Sequence, residues 1–228
     1  MGELRQTAWW VLKGTAAGAV AGFLVGGIGG RLAMLLLRLT SDGTVLGVTS
    51  DDGFEIGVVT TDTFQLLLAM TVLGVVNGIL FVAVRELIPS RVRLGLWTAF
   101  AALVGGANFV HEDGVDFTLI APPLLAIALF VVLPGAAAAL VVLLVERWDR
   151  EPAWRDRRLG VLIVVAAIAS TFALLAAAVV GAGALLLTRI AAREHLLRIG
   201  RVVVPFGLAL FALYAGVDLV RTSARILE

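Results

Sequence analysis

The sequence predicts an all-α membrane protein: one domain built as a six-transmembrane-helix bundle, with a small outer β-hairpin in its first loop. Three observations carry that prediction. Sixty per cent of the 228 residues are apolar, against about 45–50% in ordinary soluble domains, and the mean hydropathy is +1.02. Charged residues amount to 15% and gather between long apolar runs, so each run must face something other than water. The runs are continuously apolar instead of alternating with period two, which excludes a β-barrel.

A spanning helix needs about 20 apolar residues to cross roughly 30 Å of hydrocarbon. Six runs meet that need: residues 9–37, 63–84, 94–110, 117–145, 159–188 and 202–220. The first shows no cleavage pattern after a short apolar core and is expected to stay as an anchor. The fourth and fifth are longer than one crossing requires and should tilt or protrude. Pro122 and Pro123 fall in the first turns of the fourth run, where a missing N–H is tolerated, and Pro134 lies inside it, where it should kink the helix. In the first loop, Asp52-Gly53 supplies the positive φ of a tight turn between the strand-like stretches 44–49 and 54–60, which gives the expected hairpin.

Orientation comes from the arginines, because cytoplasmic loops carry the Lys/Arg excess. With alternating spans and the N-terminus inside, twelve basic residues fall on the inner side and six on the outer. This predicts both termini in the cytoplasm of a bacterial plasma membrane, bacterial origin being read from the heavy use of Ala, Gly, Val, Leu and Arg. Trp9, Trp10, Trp97, Trp148 and Trp154 fall near the inner interface under the same threading.

Gly14, Gly18, Gly22, Gly26 and Gly30 recur every fourth residue and lay a groove without side chains along the first helix. In lipid, such faces mark helix interfaces, because close backbone approach supplies the van der Waals contact that holds helices together. The expected partner is the second helix through Gly74 and Gly78, with a second copy of the chain or other membrane proteins as alternatives.

The outer loops of this threading carry two acidic turns, residues 51–56 and 112–117. Asp51, Asp52, Glu55, Asp113 and Asp116 are expected to pair with Arg31, Arg38, Arg193 and Arg198, forming an ion-pair cap over the outer helix ends. The alternative is cation binding by clustered carboxylates. Both histidines fall on the same side, so His111, Glu112, Asp113 and His195 are candidate ligands for a metal, although no ligand-like spacing supports them.

Ionisable residues at membrane depth are scarce, which argues against a proton-coupled carrier. Asp218, with Arg221 three residues on, is expected near the inner surface, and Asn77 is expected to donate a hydrogen bond across a helix interface. The chain has no cysteine, hence no disulfide or thiolate chemistry. There is no nucleotide-binding glycine loop, no hydrolase pattern and no basic tail for nucleic acid. No catalytic residue and no cofactor is therefore assigned, and the bilayer is the partner the sequence identifies.

At Gly30, Arg31, Leu32, Ala33 and Met34, at residues 51–57, and at residues 111–119 followed by Pro122, the chain resembles multi-pass membrane proteins of high-GC Gram-positive bacteria. The resemblance covers about the first two-thirds of the chain and implies a lineage without an assigned activity. The expected role is that of a non-enzymatic accessory, scaffold or sensor component. A small channel or transporter using the glycine face is the alternative, and a metal-dependent protein using the histidine and acid cluster is a third.

Overall fold

The structure, a computed structural model, describes residues 2–41, 62–111, 122–150 and 194–227, with side chains from residue 9, 63, 122 and 199 onward in the respective stretches. Helix α1 (Gly2–Ala21) continues without interruption into a π-helical segment (Gly22–Gly29) and then α2 (Gly30–Thr40). Gly22, Gly26, Gly27 and Gly29 fall in that segment, and residues without Cβ can accept its wider, rarer turn. Thr40 and Ser41 close the helix by donating their hydroxyls to the Leu37 carbonyl at 3.0 and 2.7 Å.

Helix α3 (Asp62–Val84) tightens into a 3-10 turn, Arg85–Leu87. Ile88 then takes an extended conformation, as the residue before a proline is driven to do. Pro89 accepts the Val92 N–H at 3.1 Å and opens α4 (Ser90–Phe109). Helix α5 (Pro123–Arg150) carries proline at its first position, and the Pro122 carbonyl accepts the Leu125 N–H at 3.0 Å. Helix α6 (Glu194–Leu227) completes the described structure and contains Pro205.

Five of these stretches are long and apolar enough to cross a membrane: Trp9–Thr40, Thr63–Leu87, Ser90–Phe109, Pro123–Arg150 and Ile199–Leu227. Their outward side chains are apolar, Leu32, Leu39, Phe64, Val132, Phe206 and Leu213 among them, as befits surfaces solvated by lipid tails. The α1 segment packs most extensively on α3, and α4 packs on α5 and α6. One core gathers Ala16, Ala17, Phe81, Trp97, Val141 and Val145; another, toward the opposite end, joins Leu37, Val110, Ala126 and Leu219.

Two expectations require correction. The described structure is all-helical with five membrane-length helices and no strand, instead of six helices and a hairpin. The hairpin stretch 44–60 and the expected fifth run 159–188 lie outside the described residues. The last helix also runs opposite to the direction that six alternating crossings require. A Cβ on Gly200 would meet Leu87 at 3.2 Å, Phe100 packs on Phe211 at 6.1 Å, and a Cβ on Gly106 would meet Leu219 at 3.1 Å. Helix α6 is thus parallel to α4, and Gly2 and Leu227 lie at opposite ends of the bundle. Alternation counts one crossing for every apolar run, whereas the direction of α6 is decided by the neighbours its side chains meet.

Candidate functional site

Two features stand out: a cluster of ion pairs at one end of the bundle and an apolar pocket in the other half. At the first, Asp149 near the C-terminus of α5 accepts from Lys13 of α1 and from Arg85 beyond α3, the latter at 2.5 Å. Lys13 and Arg85 are only 4% and 7% exposed. Arg85 also reaches Glu86 at 3.1 Å and lies over the Trp10 ring, 5.3 Å from its centroid. Beside them Glu146 accepts from Arg93 at 3.3 Å and forms an ion pair with Arg150 at 3.5 Å. Two cations and two carboxylates balance around Arg85, so the buried charge is compensated within hydrogen-bond reach, as burial demands. The cluster ties four spans together.

The second feature begins where the glycine face of the first span changes function. A Cβ built on Gly14 would lie 2.7 Å from the Gly78 oxygen, and one on Gly18 would lie 2.7 Å from the Gly74 carbonyl carbon and closer still to its oxygen. One on Gly22 would press on the Met70 oxygen and come within 3.0 Å of the Gly74 Cα. Through Gly22 the two backbones touch. At Gly26 the neighbour is the Met70 side chain, at 3.0 Å, and a Cβ on Gly30 meets nothing within 4 Å. The face that is continuous in sequence is therefore divided by the π-helical segment into a packed part and an open part.

The open part is one wall of a cavity of about 160 Å³. Met34 and Leu37 extend that wall, Leu66, Met70 and Asn77 of α3 face it, and Phe130, Leu133 and Pro134 of α5 close the far side with Phe109 of α4. Asn77 is the polar residue of this lining. Its amide oxygen accepts the Trp97 indole N–H at 2.9 Å, so it bridges α3 and α4 as an acceptor where donation was expected. Trp97 is itself held between Phe81 and Phe100, at 5.6 and 5.4 Å.

Several other polar groups at membrane depth bond within their own helices, whereas the buried Thr98 hydroxyl of α4 has no hydrogen-bond partner among the described residues. Thr15 donates to the Val11 carbonyl, Thr71 to Leu67 at 2.6 Å, and Asn108 to Val104 at 2.7 Å. Such local bonds remove the cost of an unmet donor in lipid without creating a path.

The structure separates several residues that the sequence grouped. His111 succeeds α4 and lies at the Val110 end, with Nδ1 3.3 Å from the Phe109 oxygen. His195 lies in the first turn of α6, at the Lys13 end, so the two histidines stand at opposite ends of the bundle. Glu112 and Asp113 lie outside the described residues. Among the described residues no group of three His, Cys, Asp or Glu is placed to hold a metal. Arg31 and Arg38 belong to α2, in the half toward the Val110 end, whereas Arg198 lies in the second turn of α6 at the Lys13 end. The helix positions of Arg31 and Arg38 thus stand at the end of the bundle opposite that of Arg198. Asp51, Asp52, Glu55, Asp113, Asp116 and Arg193 lie outside the described residues. Asp218 stands beside Leu219 at the Val110 end, away from the cluster.

Sequence reading missed both features. The Lys13, Arg85 and Asp149 cluster had a faint signal: a lone lysine bounding an apolar run, and an acid within the basic stretch that ends another. The pocket had none, since it depends on how far α5 stands from the glycine face. No protein family, curated protein or solved structure matches the chain. The five apolar helices define its class, a helical membrane protein of several passes.

Proposed function

We propose that this chain is a non-enzymatic integral protein of the bacterial plasma membrane, of accessory or sensor type, with the Lys13, Arg85 and Asp149 end in the cytoplasm. The observation that carries the reading is the closed seam of the bundle. Gly14, Gly18 and Gly22 lie in backbone contact with α3, the amide oxygen of Asn77 is occupied by Trp97, and the cavity beside them is apolar. Ion conduction needs a string of polar groups or water from face to face; among the described residues the polar groups at depth are few, with Asn77, Thr15, Thr71 and Asn108 each bonded locally or to one neighbour and the Thr98 hydroxyl standing alone.

The cytoplasmic assignment is supported by the basic residues of the described helices. Arg5, Lys13, Arg85, Arg91, Arg93, Arg147, Arg150, Arg198 and Arg201 fall toward one end, and Arg31, Arg38, Arg221 and Arg225 toward the other. Nine against four keeps the preference for the Lys13 end inside, even though α6 exchanges the positions of its own arginines. The bacterial assignment rests on composition and on the resemblance to high-GC Gram-positive membrane proteins.

The test is reconstitution of the full chain in liposomes with a panel of ion-flux dyes. Flux indistinguishable from empty vesicles is the expected result. Selective flux that scales with the amount of protein would replace this reading with that of a channel.

A further inference from the structure

We propose that the pocket between the first span and α5 is a binding site for one hydrocarbon chain of a bilayer phospholipid, entering sideways from the membrane. The inference rests on the reading of the chain as a membrane-embedded, non-conducting protein and names what it would sense or hold.

Volume and chemistry restrict the occupant. The cavity is about 160 Å³, close to the size of engineered apolar cavities of about 150 Å³ that stay dry and take up a small apolar guest. A buried water needs two to four polar partners, and the pocket offers the amide of Asn77, whose oxygen already accepts from Trp97. Water is therefore a poor filling. Another helix, about 10–12 Å across with its side chains, is far too wide. A segment of a single flexible hydrocarbon chain, the rest of which stays in the bilayer, fits both limits.

Position points the same way. The α3 part of the wall runs over the twelve residues from Leu66 to Asn77, about 16 Å of rise at 1.5 Å per step. That is close to half of the roughly 30 Å hydrocarbon thickness, so the pocket spans one leaflet. Leu73 lines it while remaining 51% exposed on the outer surface of the bundle, which sets the mouth on the side that faces lipid. The wall can also adapt. Met34 and Met70 bring unbranched, polarizable side chains, Gly26 and Gly30 bring none, and the π-helical turn faces Pro134 across the gap. π-bulges recur at functional sites.

The experiment uses the full chain in phosphatidylcholine vesicles doped with a phosphatidylcholine that carries a diazirine near the end of one acyl chain. After illumination, adducts are mapped by peptide mass spectrometry. Adducts are expected on Met34, Met70 and Leu133, as well as on the outward-facing Phe206 and Leu210. In Gly30→Phe, which places a ring where the structure has open space, labelling of the three pocket residues should fall about tenfold, the change that accompanies about 1.4 kcal/mol of lost affinity. Labelling of Phe206 and Leu210 should not change. An unlabelled pocket in the wild-type chain, or equal pocket labelling in a Gly30→Phe protein with unaltered tryptophan emission, overturns the proposal.

Native mass spectrometry of the wild-type chain gives a second readout that needs no variant. One phospholipid of any headgroup retained per chain after detergent washing supports the site. A lipid-free chain, a different apolar molecule or a chain dimer overturns it. Ion flux in liposomes would sink the non-conducting reading and leave the adduct pattern as it is, so the two failures are distinguishable.

Discussion

Gly18→Ala against Gly30→Ala isolates the backbone seam. Both substitutions add one methyl group to the same glycine face of the same span. At Gly18 the new Cβ would lie 2.7 Å from the Gly74 carbonyl carbon and 2.8 Å from the Val75 Cα. Both neighbours are backbone, which cannot turn aside as a side chain can. Restoring an ordinary 3.4 Å contact from 2.7 Å requires α1 and α3 to part by at least about 0.7 Å, and the nearer Gly74 oxygen requires more; every close contact along the seam weakens with that movement. Overpacking of this kind costs about 1–3 kcal/mol. At Gly30 nothing lies within 4 Å, and alanine there gains helix propensity, about 0.5–1 kcal/mol. The two variants should differ by about 2 kcal/mol or more, which for a chain of this length is about 4–8 °C in unfolding midpoint. The assay is thermal unfolding of the purified full chain in detergent, monitored by tryptophan emission, since Trp97 and Trp148 sit in the core beside that seam. A Gly18→Ala midpoint equal to or above that of Gly30→Ala would refute the backbone contact.

Two further outcomes are set by the same geometry. Asp149→Ala leaves Lys13 and Arg85 buried and facing each other without the carboxylate they share; it should cost about 3–5 kcal/mol, while Lys13→Met, which leaves Asp149 with Arg85, should cost clearly less, both measured in the same unfolding assay. Because α6 runs parallel to α4, reporters of sidedness placed before Trp9 and after Leu227 should give opposite signals, cytoplasmic for the first. Equal signals would show that α6 is reversed.

Much of the fold was legible. Apolar runs of membrane length mark helices whatever their partners, and four of the expected runs, 9–37, 63–84, 94–110 and 202–220, match described helices to within a few residues or a turn or two at their ends. Of the fourth run, residues 123–145 lie in the helix that starts at Pro123; residues 117–121 lie outside the described residues. What could not be read was direction. Loops of this chain are compatible with several crossings, and Arg198, Arg201, Arg221 and Arg225 change sides when α6 is reversed, so a count of arginines depends on the threading it is used to choose. The histidine pair and the outer cap both rested on that threading. They separate once Gly200 is seen against Leu87.

The candidate sites divide along the same line. Gly14 through Gly30 at fourfold spacing is a local pattern, and helix geometry alone lays it on one face. Whether a position on that face touches a backbone or opens on a cavity depends on the distance to a helix far away in sequence, which is why Gly18 and Gly30 are alike in the sequence and opposite in the structure. Asp149 gives the complementary case: its neighbours in sequence are charged and form no distinctive pattern, and its partners lie 136 and 64 residues away.

Composition and the spacing of charges were enough to read the solvent of this protein, its helical state and the length of its described spans, because in lipid every backbone polar group must be bonded within its own helix and that demand is met residue by residue. The tertiary structure decided the direction of the last helix, the pairing of Lys13 and Arg85 with Asp149, and the pocket beside Asn77. Each of these depends on which helix faces which and how closely. In a bilayer that choice is made by the fit of surfaces and the matching of a few buried charges, quantities that no single segment contains.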